Sequence, residues 1–301
     1  MNHRKPKRQE LKKRGIHILL CLVFIFLLCF PQTARTGAYA GLTLWANTVI
    51  PVLFPFLLAS NLFAALGMAS GKWYAVLLGF LCGYPMGAKA ACDLVKEGSV
   101  SQKQGQWLMC CCNLPSPMFL TGFIRIPVVT WAVYMPAVVL LVPVFFFRKH
   151  KNMKTFSKIP AENQSKDSSK AQPEDLPGIM PFLEQAMEAS VKIMIKIGIY
   201  MMVFSILSVW IQNFYFLSPF MRTLLLGLSE MTIGISTAKS AGFPAKQQAI
   251  LCAVFCTFGG CSGLSQTKSV TDEAAFSMKF YLLIRLLHVA AAVLIITLWH
   301  F

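Results

Sequence analysis

The sequence contains one arrangement twice, in which glycine, proline and polar residues interrupt apolar segments. The first copy reads LLGFLCGYPMGAKA (Leu77–Ala90), then a short loop, then SQKQGQWLMCCCNLPSP (Ser101–Pro117). The second reads LLGLSEMTIGISTA (Leu225–Ala238), then a loop, then PAKQQAILCAVFCTFGGCSG (Pro244–Gly263). Glycine and proline both weaken a helix, and proline also removes a backbone hydrogen bond. The pattern predicts two similar halves built from interrupted helices.

The two copies can be aligned at individual positions. Leu78-Gly79 matches Leu226-Gly227, Gly87 matches Gly234, Lys103-Gln104 matches Lys246-Gln247, and Pro115-Ser116-Pro117 lies opposite Phe258-Gly259-Gly260. Interrupted apolar segments at corresponding places in two halves are typical of membrane transporters, whose binding site lies between the halves.

The composition excludes an ordinary soluble domain. The 301 residues are 56% hydrophobic and 13% charged, and the mean hydropathy is +0.59. A bilayer-spanning helix needs about 20 apolar residues. The sequence therefore predicts an all-α polytopic membrane protein, an inverted repeat with broken or re-entrant helices and about eight or nine hydrophobic segments. The candidate segments are 16–34, 42–66, 73–92, 105–123, 127–147, 184–212, 221–238, 247–265 and 276–299.

The positive charge marks the cytoplasmic side. Of the 28 Lys and Arg residues, seven lie in residues 1–14 and seven in residues 148–170, and the net charge is +16. Lys and Arg accumulate beside cytoplasmic helix ends. These clusters lack the interleaved aromatic residues that stack on bases, so nucleic acid is not an expected partner, whereas membrane lipid is.

These features divide the chain into a basic cytoplasmic N-terminus (1–15), a first transmembrane helix (16–36), a first repeat (40–147), a polar cytoplasmic linker (148–178) and a second repeat (179–301). The basic lead and the apolar run after it also resemble a signal peptide, but residues 31–36 form a poor cleavage site. An uncleaved helix is therefore expected.

The charge pattern also predicts the topology. If the N-terminus and the linker are both inside, the five segments between them cross an even number of times, so one does not cross fully. Tyr74–Cys92 and Trp107–Phe123 are the candidates, since irregular backbone is tolerated where it lines a cavity. The two repeats are then inverted, and the C-terminus lies outside.

Two isolated charges occupy nearly corresponding stretches of the repeats. Lys89 and Glu230 each lie in an apolar segment, where an unsatisfied charge is costly. They could pair with each other, bind a solute, or do both in turn. A lysine that extends to the interface and a structural carboxylate are the simpler alternatives.

The helix-breaking residues could free backbone groups for binding. Gly83, Pro85 and Gly87 interrupt the first segment, and exposed N–H groups at a half-helix start can bind a carboxylate. Small residues also allow close helix packing, which is the competing interpretation. Neutral hydrogen-bonding side chains near the breaks complete the candidate substrate-binding set: Asn113, Ser116, Ser262 and Gln266.

No motif of covalent catalysis is found. The sequence has no GxxxxGK[ST] run and no G-x-S-x-G turn. The ten cysteines form no disulfide framework, and the five histidines form no cluster. We therefore expect no enzyme activity, no cofactor and no metal site. The expected partner is a small-molecule solute; the coupling ion and a homo-oligomeric state stay open.

Four stretches together resemble a known family: GYPMGAKAACDLVKEGSVS (Gly83–Ser101), the Cys112-Asn113 turn with Pro117, GLSEMTIGI (Gly227–Ile235) and FGGCSGLSQ (Phe258–Gln266). They are similar to the sporulation integral membrane proteins of YlbJ type, with "nucleoside recognition" gate domains. The resemblance covers roughly residues 40–300. Leu114-Pro115-Ser116-Pro117 and Gly260-Cys261 depart from the usual pattern.

The resemblance implies a multi-pass protein of the outer forespore membrane in a spore-forming bacterium, which exports dipicolinic acid toward the spore. Lys89 and half-helix N-termini could then bind the two carboxylates of this planar dianion, and Asn113, Ser262 and Gln266 could donate hydrogen bonds. Two alternatives remain: a nucleoside, nucleobase or cation-coupled transporter, and a non-transporting factor for spore envelope assembly.

Overall fold

The computed structural model describes residues 4–66, 71–146 and 179–300, and within these ranges every regular element is a helix. The linker predicted at 148–178 lies outside the described residues. Five helical stretches are long and apolar enough to cross a bilayer. The chain is therefore an all-α, multi-pass membrane protein, as predicted, although nine separate spans are not observed. The five stretches are Pro31–Ala65, Gln102–Ile124, Ile179–Gln212, Ala245–Ala274 and Met278–Leu298.

The first helix break lies earlier than the segment boundaries predicted. Helix α1 (Arg4–Cys29) ends before Phe30, which adopts φ −126° and ψ 57° ahead of Pro31. A residue before proline avoids the helical region, which explains this position. Helix α2 (Pro31–Leu44) then continues through a π-helical turn (Trp45–Val49) into α3 (Ile50–Ala65), so the predicted segments 16–34 and 42–66 share residues of one long helix.

Helices and breaks follow the same order in the two halves. In the first half, a break at Gly83–Pro85 separates α4 from α5, and a break at Asn113–Ser116 separates α6 from α7, which continues as a π-helical turn (Leu120–Ile124). In the second half, Glu230 separates α10 from α11, and Gly259 separates α12 from α13. The bounds are α4 Gly71–Cys82, α5 Met86–Lys96, α6 Gln102–Cys112, α7 Pro117–Phe119, α10 Pro219–Ser229, α11 Met231–Ser240, α12 Ala245–Phe258 and α13 Gly260–Thr271.

Three further helices surround these units: α8 (Pro127–Phe146), α9 (Ile179–Gln212) and α14 (Met278–Leu298). Helix α9 is unbroken from Ile179, and its first turns expose four charged residues along one face: Glu184, Glu188, Lys192 and Lys196. Helix α14 joins the two apolar cores of the molecule, because Tyr281 and Ile284 pack in one and Ala292 and Ile296 in the other. Between these positions one face of α14 is buried, with Arg285 and His288 on it.

The aligned glycines make equivalent close approaches. A Cβ added at Gly87 would lie 2.1 Å from the Cys112 carbonyl oxygen, and one at Gly79 would lie 2.3 Å from the same atom. In the second half, a Cβ at Gly234 would lie 2.1 Å from Gly227 Cα, and one at Gly227 would meet the Phe255 ring. The prediction that Gly87 interrupts the segment is wrong. Gly87 lies within α5, where it allows close packing.

Candidate functional site

A cavity of about 60 Å³ lies where breaks from the two halves meet. Tyr84 lies in the first break, Pro115 and Ser116 in the second, and Glu230 in the third. Helix α13 adds Gln266, which follows the fourth break. Apolar residues complete the wall: Val49, Val52, Leu53, Cys82, Phe119, Ile197, Met201 and Met231, with Thr232 beside them. The cavity thus brings together three sequence-predicted residues, Ser116, Glu230 and Gln266.

The first two breaks are tied to each other through the backbone. Tyr84 N donates to Leu114 O at 2.8 Å. Gly83 has φ +78°, and an added Cβ would lie 2.7 Å from Ser116 N, so only glycine fits there. Gly83 and Pro85 therefore position Tyr84 against the second break, while neither of them lines the cavity itself.

The buried hydroxyl of Ser116 caps a helix and also lines the cavity. Its Oγ accepts from Phe119 N at 3.2 Å and so caps α7. The neighbouring Pro115 carbonyl accepts from the Tyr134 hydroxyl at 2.8 Å. Since an N-cap hydroxyl accepts through oxygen, its hydrogen is still available to a solute in the cavity.

Glu230 caps the half-helix that begins beside it. The side chain is 3% exposed, and Oε2 accepts from Ile233 N at 2.9 Å and from the Thr232 hydroxyl. A carboxylate is favoured at a helix N-terminus by the unpaired N–H groups and the helix dipole. Glu230 thus occupies the N-terminus of α11 with its own carboxylate.

Tyr84 separates this cavity from a smaller one of about 10 Å³. Tyr84 lines both, and its hydroxyl donates to Met231 Sδ at 2.7 Å. The smaller cavity lies against Arg285 and against the start of α13; its other lining residues are Asn113, Cys256, Thr257, Phe258, Gly259, Gly263, Thr267 and Tyr281.

Asn113 lines the smaller cavity, and its side chain links the first half of the chain to the second by hydrogen bonds. Its Nδ2 donates to Thr267 Oγ1 at 2.8 Å and to the Tyr281 hydroxyl at 2.7 Å, whereas its Oδ1 is buried without a partner. Ser262, also predicted to bind solute, accepts from Gln266 Nε2 at 3.1 Å and does not line either cavity.

Arg285 is the residue that sequence reasoning missed. It lies on α14 between the two cores, is 2% exposed, and stacks on the Tyr281 ring at 4.8 Å. It donates to the carbonyl oxygens of Asn113 and Thr257, at the ends of α6 and α12. The same signal that identified Lys89 and Glu230, a lone charge in an apolar segment, was available here.

The structure does not bring Lys89 and Glu230 together. Lys89 Nζ forms an ion pair with Asp93 Oδ2 at 2.5 Å and lines a separate cavity of about 250 Å³ with Tyr74, Glu97 and other residues. About a third of its side chain is exposed. A pair of these two charges therefore does not form in this conformation, although both lie near helix breaks.

The described residues contain no group of three or more His, Cys, Asp or Glu side chains that could hold a metal ion. The site therefore offers hydrogen-bond donors, one carboxylate and one guanidinium. These groups can bind and orient a small solute.

Comparison with known proteins finds a relative named as a sporulation integral membrane protein. The chain is 24% identical to "Sporulation integral membrane protein YlbJ" of Bacillus subtilis (strain 168), over 94% of this chain and 82% of the relative. No family model matches the chain, and no solved structure matches it. The similarity extends over nearly the whole molecule and so includes both halves and their breaks.

Proposed function

We propose that this protein is a transporter for a small anionic aromatic solute, dipicolinic acid, which it moves across the outer forespore membrane during sporulation. The observation that carries the proposal is the cavity bounded by helix breaks from both halves. Broken helices at a repeat interface provide a solute site whose two sides can open in turn.

Two findings support this proposal. The similarity to a sporulation integral membrane protein supports a membrane role in sporulation. The cavity wall combines apolar surface, suited to an aromatic ring, with Ser116 and Gln266 as hydrogen-bond donors. A mostly apolar pocket with few polar groups is the usual form of a small-molecule site.

Glu230 favours a second candidate, a cation-coupled transporter of a nucleoside or nucleobase. Its carboxylate lines the cavity and carries the wrong charge to bind a dianion directly. It suits a neutral solute or a coupling cation. The nucleoside alternative therefore has its own observation and belongs in the same experiment.

Flux measurements on the reconstituted protein test both candidates. Proteoliposomes containing the full chain should take up labelled dipicolinate faster than labelled uridine, and faster than empty liposomes take up either. Uridine uptake with no dipicolinate uptake would establish the second candidate. If neither solute moves through correctly folded protein, the transport proposal is lost and a role in spore envelope assembly takes its place.

Matched substitutions connect the flux to the cavity. Glu230→Gln keeps the shape of a cavity residue and removes its charge, so the flux of the transported solute should change at least tenfold. Lys89→Gln alters a charge in the separate cavity and should change the flux less than twofold. Equal effects of the two variants would argue that the cavity between the breaks is not the transport site.

A further inference from the structure

Arg285 carries a buried positive charge without a counter-ion. Within the described ranges it forms no ion pair, and its Nε is buried without a hydrogen-bond partner. Of the five N–H donors of a guanidinium, only two have acceptors here, the carbonyl oxygens of Asn113 and Thr257. A buried charge in a membrane protein is costly unless it is paired, and it is usually functional when it is retained.

The first turn of α13 borders the same small cavity. Helix α13 begins at Gly260, and no side chain caps its first N–H groups. This differs from α7 and α11, which Ser116 and Glu230 cap. Gly259, with φ +85°, makes the turn between α12 and α13, and Gly259 and Gly263 line the cavity beside Arg285. Unpaired N–H groups at a helix start attract anions.

We propose that Arg285 and the N-terminus of α13 together bind a carboxylate group of the transported anion. This inference rests on the proposed function and names the residues that recognise the charge of the solute. Arginine binds carboxylates through two parallel hydrogen bonds, for which Nε and a terminal nitrogen are suited. The carboxylate of the anion is the counter-ion that Arg285 lacks among the described residues.

The Tyr84 ring controls access of a solute to the Arg285 guanidinium. The small cavity of about 10 Å³ holds roughly one water molecule, so a carboxylate does not fit while the Tyr84 ring stays in place. The Tyr84 ring also bounds the larger cavity between the breaks. A solute in that cavity therefore reaches Arg285 when Tyr84 moves aside, which couples binding of the charge to a change at the first break.

A purely structural Arg285 would behave differently. In that role it would only hold the carbonyl ends of α6 and α12, where a positive charge is favoured by the helix dipole. Its removal would then lower stability and leave the relative affinity for charged and neutral solutes unchanged. The ratio of the equilibrium affinities for a charged and a neutral solute therefore distinguishes a binding role of Arg285 from a structural one.

The experiment measures binding of labelled pyridine-2,6-dicarboxylate to the full chain in nanodiscs, with pyridine-2,6-dicarboxamide as the neutral competitor. The wild-type protein should bind the dicarboxylate at least tenfold more tightly. Arg285→Gln should weaken dicarboxylate binding by about tenfold to a hundredfold and abolish the preference, since it removes charge-assisted hydrogen bonds. Arg125→Gln removes an exposed arginine and should leave both affinities within twofold.

A second variant guards against misfolding of Arg285→Gln. Asn113→Asp places a carboxylate beside Arg285, where the Tyr281 hydroxyl, which accepts from Asn113 Nδ2 in the native protein, can rotate to donate to it. The Thr267 hydroxyl donates to Gly263 O and keeps that partner. The Asn113→Asp variant should fold, as judged by gel filtration and thermal unfolding, and should weaken dicarboxylate binding at least tenfold, because Arg285 then has an internal partner.

The outcomes separate this inference from the proposed function. Folded Arg285→Gln or Asn113→Asp with unchanged dicarboxylate affinity overturns the role of Arg285, while dicarboxylate flux by the wild type keeps the transport proposal. If the wild-type protein binds the dicarboxylate and the dicarboxamide equally well, the role of Arg285 is also overturned, whatever the variants do. Uridine flux without dicarboxylate binding overturns both the role of Arg285 and the proposed transport of dipicolinate.

Discussion

At the scale of single residues, Gly87 and Gly234 allow helices to approach within backbone contact. We predict that Gly87→Ala destabilises the protein by about 1–3 kcal/mol, since the new methyl group would overlap the Cys112 carbonyl oxygen, a backbone atom with little freedom to shift. Gly234→Ala should behave alike against Gly227. Thermal unfolding in detergent measures both effects.

Gly122 provides the matched control for these substitutions. It lies in the π-helical turn Leu120–Ile124, and a Cβ added there has no neighbour within 4 Å. Gly122→Ala should therefore leave the midpoint of unfolding unchanged or raise it slightly. An equal loss of stability in all three variants would contradict the packing explanation.

Glu97, at the end of α5, should make stability depend on pH. Burial, and next the Asp93 carboxylate, raise the pKa of Glu97 from 4.5 to about 7, against the opposing effect of Lys89 and Lys96. Between these values the folded protein holds a proton that the unfolded chain has released, so stability falls as pH rises through this window. The unfolding temperature should therefore be higher at pH 5 than at pH 8.

The Glu97 contribution can be isolated by substitution. Glu97→Gln cannot ionise and should flatten the dependence of unfolding temperature on pH between 5 and 8. Glu188→Gln removes an exposed carboxylate from α9 and should leave the dependence in place. An unchanged slope in Glu97→Gln would assign the effect to another group.

The residue scale also shows where the sequence was informative. The sequence could predict three of the residues that line the cavity, because each is a polar residue near a break in an apolar segment: Ser116, Glu230 and Gln266. Lys89 carries the same signal but lies on a face of α5 toward another cavity. Arg285 carries the same signal too, a lone charge in an apolar segment, but it lies in an unbroken helix, and only the packing of α14 shows that it contacts two breaks.

At the scale of helices, two serines cap helix starts in different surroundings. Ser116 caps α7 at the cavity, whereas Ser218 Oγ accepts from Met221 N at 3.3 Å and caps α10 in an exposed position. Ser116→Ala and Ser218→Ala should each destabilise the protein by about 0.5–2 kcal/mol. Only Ser116→Ala should also lower dicarboxylate flux, because it removes a donor from the cavity.

Unfolding measurements and flux assays on the two serine variants check this prediction. If both variants transport at the wild-type rate, Ser116 acts as a cap alone and is removed from the binding set. If both transport slowly to the same extent, the loss follows from stability and gives no information about the cavity.

The helix breaks could be predicted in part. Gly83–Pro85 and Gly259 contain the residue types that favour a break, and the structure confirms them. The break at Glu230 has no glycine or proline and depends on a side chain that caps the next helix. The two halves of this segment, α10 and α11, measure only about 15–17 Å each by helix rise, too short to span a bilayer alone.

At the scale of the whole molecule, the topology is a prediction. The basic residues place the N-terminus and the linker inside and the C-terminus outside. Reporter fusions at Ser165 and at Phe301, both outside the described residues, should report opposite sides of the membrane. A Ser165 fusion on the outside would contradict the even number of crossings, and two fusions on one side would contradict the inverted arrangement.

The packing of α2 on α9 bears on how the protein is made. A Cβ at Gly37 would lie 2.4 Å from Ile206 Cα, and one at Gly41 would lie 2.8 Å from Met202 Cα, so the two helices touch along their backbones. The ribosome completes α2 well before it reaches α9. Until then the glycine face of α2 lacks its native neighbour, and the contact forms only after α9 has been inserted. The order of synthesis therefore makes this contact a late step of assembly, and a chain that stops within the linker leaves that face without its partner.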